Sequence, residues 1–369
     1  MITRGIQTLH VFMRDYMILS KLGSSKEFVL QVLISRDVNR IDVAFVGTVY
    51  NNAPFIETSL RSIFRVIKNL PEINFEFVIV DSFSADGTYE NLLRLFNEFR
   101  KLGNLKRAVI IRFSCTRGVG RRLAVSISRA RYIIPIDLDT LYDDYLLSRV
   151  ISEAIMMNLD KCIVFANPGL HIMCPKDIIM SVGNYRDLNY GEDIELLARI
   201  FSIYSNKALS LPIRLAYDLR VVDSGVMKDR ERRYSGSLFK HVVRKMRNMV
   251  DRYLAYGYDL EKLVREHYLL YKNNIFALVV NVLMHLFVII PLSKTRGIRS
   301  KLRIPLSNYL YVDLMTYLLM IDPALFGISI DKVIDYFKDF SSTKEFKYIS
   351  RFYSNINSIS YNNKYVWKV

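Results

Sequence analysis

The chain of 369 residues is 51% hydrophobic and 24% charged, too long and too apolar for a disordered chain and large enough for one large or two ordinary domains with a substantial core. Its 52 Lys and Arg against 36 Asp and Glu leave a formal charge of +16, which favours phosphate groups, polyanions or anionic membrane surfaces. Three cysteines, Cys115, Cys162 and Cys174, in no CxxC or paired Cys/His spacing, argue against a disulfide framework and a structural zinc site and for a reducing compartment.

The N-terminal stretch carries Arg4, Arg14, Asp15 and Lys21 and does not read as a secretory leader; residues 1–40 read as a helical or mixed extension. From Ile41, strand, turn and helix alternate. Residues 41–48 are a β-rich run, and in 54–70 Ile56, Leu60, Ile63, Phe64 and Ile67 fall at helical spacing. Residues 75–80 are a second strand, closed by the turn and cap residues of 81–88, and 89–101 a second amphipathic helix. A third strand, 108–113, leads through 116–122 to a third helix, 120–131, and a fourth strand, 132–136, runs into Asp137-Leu138-Asp139. Gly191-Glu192-Asp193 precedes a largely apolar helix, 194–203. This alternation predicts an α/β fold with a parallel sheet covered on both faces, in which ligands bind beyond the carboxyl ends of the strands.

The positive excess is segmental. Residues 101–131 hold nine basic and no acidic side chains, 214–252 eleven basic and five acidic, and 294–303 five basic and none acidic. Together these blocks exceed the excess of the whole chain, so the remainder is mildly acidic and the protein is no uniform polyanion coat.

Each chemical motif admits two readings. Asp137 and Asp139 follow a buried strand and project on one side of an extended chain; they suit Mg²⁺ or Mn²⁺ bridging to a diphosphate, or a turn with a cap. The 81–88 cluster is a strand-to-helix turn capped by Asp86 or Thr88, or the place where Asp81 accepts hydrogen bonds from a nucleobase edge. Residues 116–122 offer the glycines and guanidiniums that a pyrophosphate needs, or a glycine turn with solvated arginines. They fit neither GxGxxG nor a P-loop, so dinucleotide and ATPase readings lose support. Glu192 and Asp193 complement the dipole of the next helix, or Asp193 is a general base.

In their order, residues 46–52, 80–88, 117–120, 136–139 and 191–193 resemble glycosyltransferase family 2 over roughly residues 41–205. The resemblance implies the GT-A fold and a metal-dependent, inverting transfer of a sugar from a nucleoside-diphosphate donor to a hydroxyl or lipid-phosphate acceptor, with Mg²⁺ or Mn²⁺ as cofactor. It also implies roles: Thr48, Tyr50 and Glu57 hold the nucleotide and Asp81 reads the base. Asp139 ligates the metal, Asp137 is a second ligand or a ribose contact, and Asp193 is the catalytic base. Arg117 and Arg121 are candidates to stabilise the leaving diphosphate. Several positions depart from the family pattern: Ser82-Phe83 follows Asp81, Ala124 stands where asparagine is common, and no Gln-x-x-Arg-Trp follows Asp193, which argues against a processive polysaccharide synthase. His171 lies where sugar contacts are usual, and a lone histidine also serves structure. Rival readings are a sugar-nucleotide hydrolase or nucleotidyltransferase, which shares the metal acids without needing Asp193, and a nucleic-acid-binding protein, suggested by charge but by no motif.

The organisation expected is an extension over 1–40, a catalytic domain over 41–225, a mainly helical accessory region over 226–352 and a loosely ordered tail over 353–369. Residues 275–292 form an uncharged, mostly apolar run of the minimum length to span a bilayer. Asn281, His285, Pro291 and the basic flank at 294–303, together with a catalytic half that uses nucleotide sugars, favour peripheral association with an anionic, cytoplasmic membrane face. A plain core helix is the other reading.

Overall fold

The computed structural model describes residues 28–165, 171–189, 191–204, 208–211 and 215–219, with isolated positions between 279 and 331. Val43–Val49 (β2) and Phe75–Asp81 (β3) are buried at nearly every position, as strands covered on both faces must be. They pair in parallel from Val43 opposite Phe75 to Val49 opposite Asp81. Leu105–Phe113 (β4) extends this parallel pairing beyond β3 and Tyr132–Pro135 (β5) beyond β2. These are the four strands expected from the sequence.

Ala53–Asn69 (α1), with a proline in its first turn, and Thr88–Glu98 (α2) cover one face, and Arg117–Ile127 (α3) covers the other. Phe64 of α1 and Phe96 of α2 meet Phe77 of β3 with ring centroids 5.3 and 5.0 Å apart. On the opposite face Leu123, Ala124 and Ile127 pack with Val46, Val78 and Val109. Each large side chain so buried contributes about 1.5–3 kcal/mol, so the helices hold firmly to the sheet and their N-termini are fixed above its carboxyl edge.

The expected parallel sheet is in fact mixed. Phe28–Ser35 (β1) joins β4 as an antiparallel edge strand, within a segment read as helical or mixed; Val29 and Val32 are exposed and Ile34 buried, so apolar residues on both sides of this edge mask the alternation that marks a strand. At the other side His171–Pro175 (β8) pairs antiparallel with β5 and with Cys162–Phe165 (β7), and Ala208–Leu211 (β9) lies parallel to β7. The eight strands run in the order β1-β4-β3-β2-β5-β8-β7-β9. Thr140–Tyr142 (β6) and Ala216–Asp218 (β10) form a separate two-stranded ribbon directly after the Asp137-Leu138-Asp139 segment. Asp144–Met156 (α4), Lys176–Ser181 (α5) and Glu192–Ile203 (α6) complete the described elements.

Cys162 and Cys174 are joined as a disulfide, a single link not anticipated by the reading against a disulfide framework. The register that sets Ile163 opposite Met173 brings these two neighbours together, a proximity that sequence spacing does not reveal.

Helix α3 starts three residues earlier than expected and ends four earlier. The Thr116 side chain accepts a hydrogen bond from the Val119 N–H and caps the start. At the end, buried Glu76 of β3 accepts from the N–H groups of Arg129 and Ala130 at 2.6 and 2.9 Å and from the Ser128 hydroxyl, which draws the chain out of the helix. Arg107 neutralises this carboxylate at 2.9 Å. Gly118 and Gly120 therefore sit in the first turn, where a Cβ on Gly120 would run into the Thr48 side chain and one on Gly118 into the backbone of Arg186 and Leu188. Gly120→Ala is expected to push α3 away from β2 and lower stability by about 1–3 kcal/mol. Urea unfolding checks this, and an unchanged midpoint would contradict the close approach.

The accessory region at 226–352, including the apolar run at 275–292, and the basic block at 294–303 lie outside the described residues apart from isolated positions, and so does most of the block at 214–252. Among the described residues no helix is long and apolar enough to cross a membrane. The isolated positions Val279, Leu283 and Leu286 are exposed.

Candidate active site

The carboxyl ends of β2, β3 and β5 bring Thr48, Asp81 and Asp137 to one edge of the sheet, with the first turns of α3 and α6 above them. Asp81 is fully buried. Its carboxylate accepts from the Ser84 N–H at 3.1 Å and from Arg112 Nε at 3.1 Å. Burial pushes the Asp81 carboxyl up, against the pull of Ser84 and Arg112. The Arg112 guanidinium also donates to the Ser84 carbonyl at 3.0 Å and lies over the rings of Tyr89 and Phe83, 4.4 and 5.1 Å from their centroids. Phe83 holds a left-handed backbone, φ 55°, and it and Tyr50 are exposed. The capping expected of this turn is corrected: the N-cap of α2 is Gly87, which offers no side chain, and Asp86 and Thr88 instead accept from the N–H groups of Ala53 and Asn52 at 3.0 and 2.7 Å and secure the start of α1.

The second cluster is built on Arg121, which is only 3% exposed. It donates through Nη2 to Asp137 Oδ1 at 2.7 Å, and through Nη1 to Glu192 at 2.8 Å and to Asp193. Burial opposes the charge of Arg121, but Asp193, Asp137 and Glu192 outweigh it and hold its pKa well above the usual value. Arg117, more exposed, lies with Nε 3.7 Å from Glu192, which raises its own pKa. The Tyr142 hydroxyl accepts from the Asp137 N–H at 2.9 Å, and the Tyr142 ring meets His171 edge-on at 5.6 Å. Burial lowers the pKa of His171 and so favours its neutral form.

Local chemistry explains how α6 reaches this place. The Gly118 N–H donates to the Leu188 carbonyl at 2.8 Å, the Thr116 hydroxyl to Asp187 at 2.6 Å, and the Arg117 N–H to Asn189 at 3.0 Å. These bonds stitch the loop before α6 to the start of α3. Gly191, at φ 74°, then turns the chain into α6 with Glu192 and Asp193 in the first turn, where the helix dipole favours negative charge.

Residues 45–164 match the family described as glycosyl transferase family 2. They are a family 2 glycosyltransferase domain. Among curated protein sequences none matches this chain. Several solved structures are similar to it at low identity. A mannosyltransferase from Pyrobaculum calidifontis, in complex with GDP-Man and Mn²⁺, is 13% identical with a TM-score of 0.43 over 94% of this chain and 91% of that one. S. aureus TarS is 13% identical with a TM-score of 0.37 over 44% of this chain, and the match spans only 33% of TarS. Its 1–349 portion with UDP is 14% identical with a TM-score of 0.35, covering 43% of this chain and 56% of that one.

Within the glycosyltransferase domain Thr48, Tyr50, Asp81, Arg117, Arg121, Asp137 and Asp139 all lie at the carboxyl edge of the sheet or at the start of α3, and Asp193 joins them from beyond the matched residues. Thr48 donates to the Arg117 carbonyl at 3.1 Å. Glu57 stands apart: it faces solvent in a lattice with Arg61 and Arg94, at 2.9 and 2.6 Å, and these arginines hold its carboxyl below the usual range. Tyr142, Tyr185, which lies under Arg121 at 5.8 Å, and Arg112 were not singled out from the sequence. Nothing in their local pattern marks them, because they reach the site through tertiary packing.

Among the described residues no three His, Cys, Asp or Glu side chains gather to hold a metal ion by themselves. Asp137 and Asp139 at the end of β5 offer two carboxylates, a set that fits Mg²⁺ or Mn²⁺ only when substrate oxygens complete the coordination.

Burial and the adjacent Asp193 push the Glu192 carboxyl up to about 7. The native state therefore keeps a proton that the unfolded chain loses above the ordinary value of 4.5. Stability is expected to fall as pH rises through that window, since the folded state binds the extra proton there. Melting temperatures of the native chain and Glu192→Gln across the window check this: the native chain should fall relative to the variant as pH rises if Glu192 is the source, and the two should change in parallel if it is not.

Proposed function

We propose that the chain transfers a sugar from a nucleoside-diphosphate donor to a hydroxyl or lipid-phosphate acceptor, with inversion at the anomeric carbon. The observation that carries this reading is the meeting of Asp137 and Asp193, from two separate segments, on the single guanidinium of Arg121 at the carboxyl edge of a family 2 domain. Asp193, partly exposed at the start of α6, is the base that takes the proton of the acceptor hydroxyl as it attacks. Tyr50 and Thr48 lie alongside the nucleoside, and the N–H edge of the base meets Asp81, buried behind Ser84 and Arg112, where these partners yield to it. Arg117 reaches the outgoing diphosphate. Asp139 and Asp137 would hold Mg²⁺ or Mn²⁺, which would supply positive charge for the leaving group. Attack by the acceptor in one displacement requires no nucleophile from the protein.

The acceptor part of the proposal rests on sequence. The basic residues of 214–252 and 294–303 beside the apolar run of 275–292 suit an anionic membrane surface or lipid phosphate on the cytoplasmic side. A ligand that binds only the native state raises the melting temperature, so a panel of nucleoside-diphosphate sugars with and without Mn²⁺ tests the donor. One donor should give a clear metal-dependent rise; no rise with any of them would remove the proposal.

A further inference from the structure

Three carboxylates from two segments converge on Arg121: Asp137 after β5, and Glu192 and Asp193 on α6. The guanidinium is 3% exposed, whereas Asp137 and Asp193 are 33% and 21% exposed. It lies on the protein side of the acids, with their remaining surface open to a ligand. Arg121 Nε is buried without a hydrogen-bond partner, so the two terminal nitrogens carry all the bonding to these acids. The arginine occupies one of the two Asp137 carboxylate oxygens and places a permanent positive charge 2.7 Å from it.

Building on the glycosyltransferase reading, we propose that Arg121 is a positioning residue that acts as an internal counter-cation. It holds Asp137 and Asp193 in place in the free protein and keeps the affinity of the site for a divalent cation low, so that the cation binds tightly only with the diphosphate. Electrostatics favours this order. A divalent ion approaching the free site meets the guanidinium charge at short range in a medium that screens poorly. The diphosphate adds negative charge and oxygen ligands, which offsets that repulsion and completes the coordination that two carboxylates leave open.

The test measures Mn²⁺ binding by titration calorimetry and by the loss of the free Mn²⁺ electron-spin signal, on the full chain with and without a nucleoside diphosphate. The native chain should bind Mn²⁺ at least tenfold more tightly with the diphosphate than without it. Arg121→Gln should bind Mn²⁺ alone at least tenfold more tightly than the native chain, and Arg121→Lys, which keeps the charge, should stay near the native value. Equal Mn²⁺ affinity of the folded Arg121→Gln variant and the native chain would overturn the proposal. Should Arg121→Gln fail to fold, the native chain decides alone: Mn²⁺ binding as tight without the diphosphate as with it overturns the idea. Absence of binding by every nucleoside diphosphate would instead overturn the glycosyltransferase reading, and the Mn²⁺-only comparison of variants would still report on Arg121.

Discussion

Replacing Asp193 by Asn is expected to lower turnover about 10²–10⁴-fold, the range for removing a general base, while donor affinity stays within a few-fold of native. Asparagine keeps the shape and an oxygen that still accepts from Arg121, which bonds Asp193 in the native chain, so α6 and the acids around it remain in place. It cannot take a proton. Glu192 is no substitute, because it is 1% exposed beneath Arg121 and an acceptor hydroxyl does not reach it. Steady-state rates at saturating donor, together with calorimetric donor binding, separate the two effects. Full turnover in Asp193→Asn would move the base elsewhere, and a matched loss of donor binding would make Asp193 a binding residue.

The second large effect concerns stability. Arg199, almost fully buried on α6, bonds Glu195 through Nε and Nη2 at 2.7 and 2.6 Å and donates to the carbonyls of Val182 and Asn184 at 2.5 and 2.7 Å. Arg199→Leu is expected to cost about 3–5 kcal/mol, because it strands a buried carboxylate and two carbonyls. Against a typical net stability of about 5–15 kcal/mol, this is a major share. Arg186, 2.8 Å from Glu195, limits the loss without replacing the carbonyl contacts. The double variant Glu195→Leu with Arg199→Leu should recover part of it, since the uncompensated charge is then gone. Urea unfolding of the three proteins measures this, and a loss below about 1 kcal/mol for the single variant would show that the pair carries little. Since α6 also carries Asp193, the single variant should lower turnover more than donor binding.

Much of the site was legible because its acids stand at strand ends. Asp81 and Asp137 each follow a run of buried apolar residues, so alternation of strands and helices places both at the carboxyl edge of a parallel sheet. The antiparallel members β1, β7 and β8 were not legible in the same way. They lie outside the regular strand-helix alternation, and their partners are chosen by tertiary packing. The partners of each acid were hidden for the same reason. Arg112 and Asp81 are separated by 31 positions and Arg121 and Asp193 by 72.

The charge excess also changes meaning in the fold. Within 101–131, Arg107 is spent on Glu76, Arg112 on Asp81 and Arg121 on Asp137, Glu192 and Asp193. Much of that basic block therefore serves internal carboxylates, and Arg117 is the more exposed arginine at the candidate site. A run of basic residues in a sequence does not distinguish these uses, because the compensating acids come from distant segments.

Inverting transfer is tested by following an α-linked nucleoside-diphosphate sugar with excess protein and no acceptor, using proton NMR while water slowly takes the acceptor's place. The nucleoside diphosphate should be released with the β-anomer of the free sugar appearing first, and the reaction should slow greatly in Asp193→Asn. Release of the α-anomer first, or of a nucleoside monophosphate with a sugar phosphate, would contradict it.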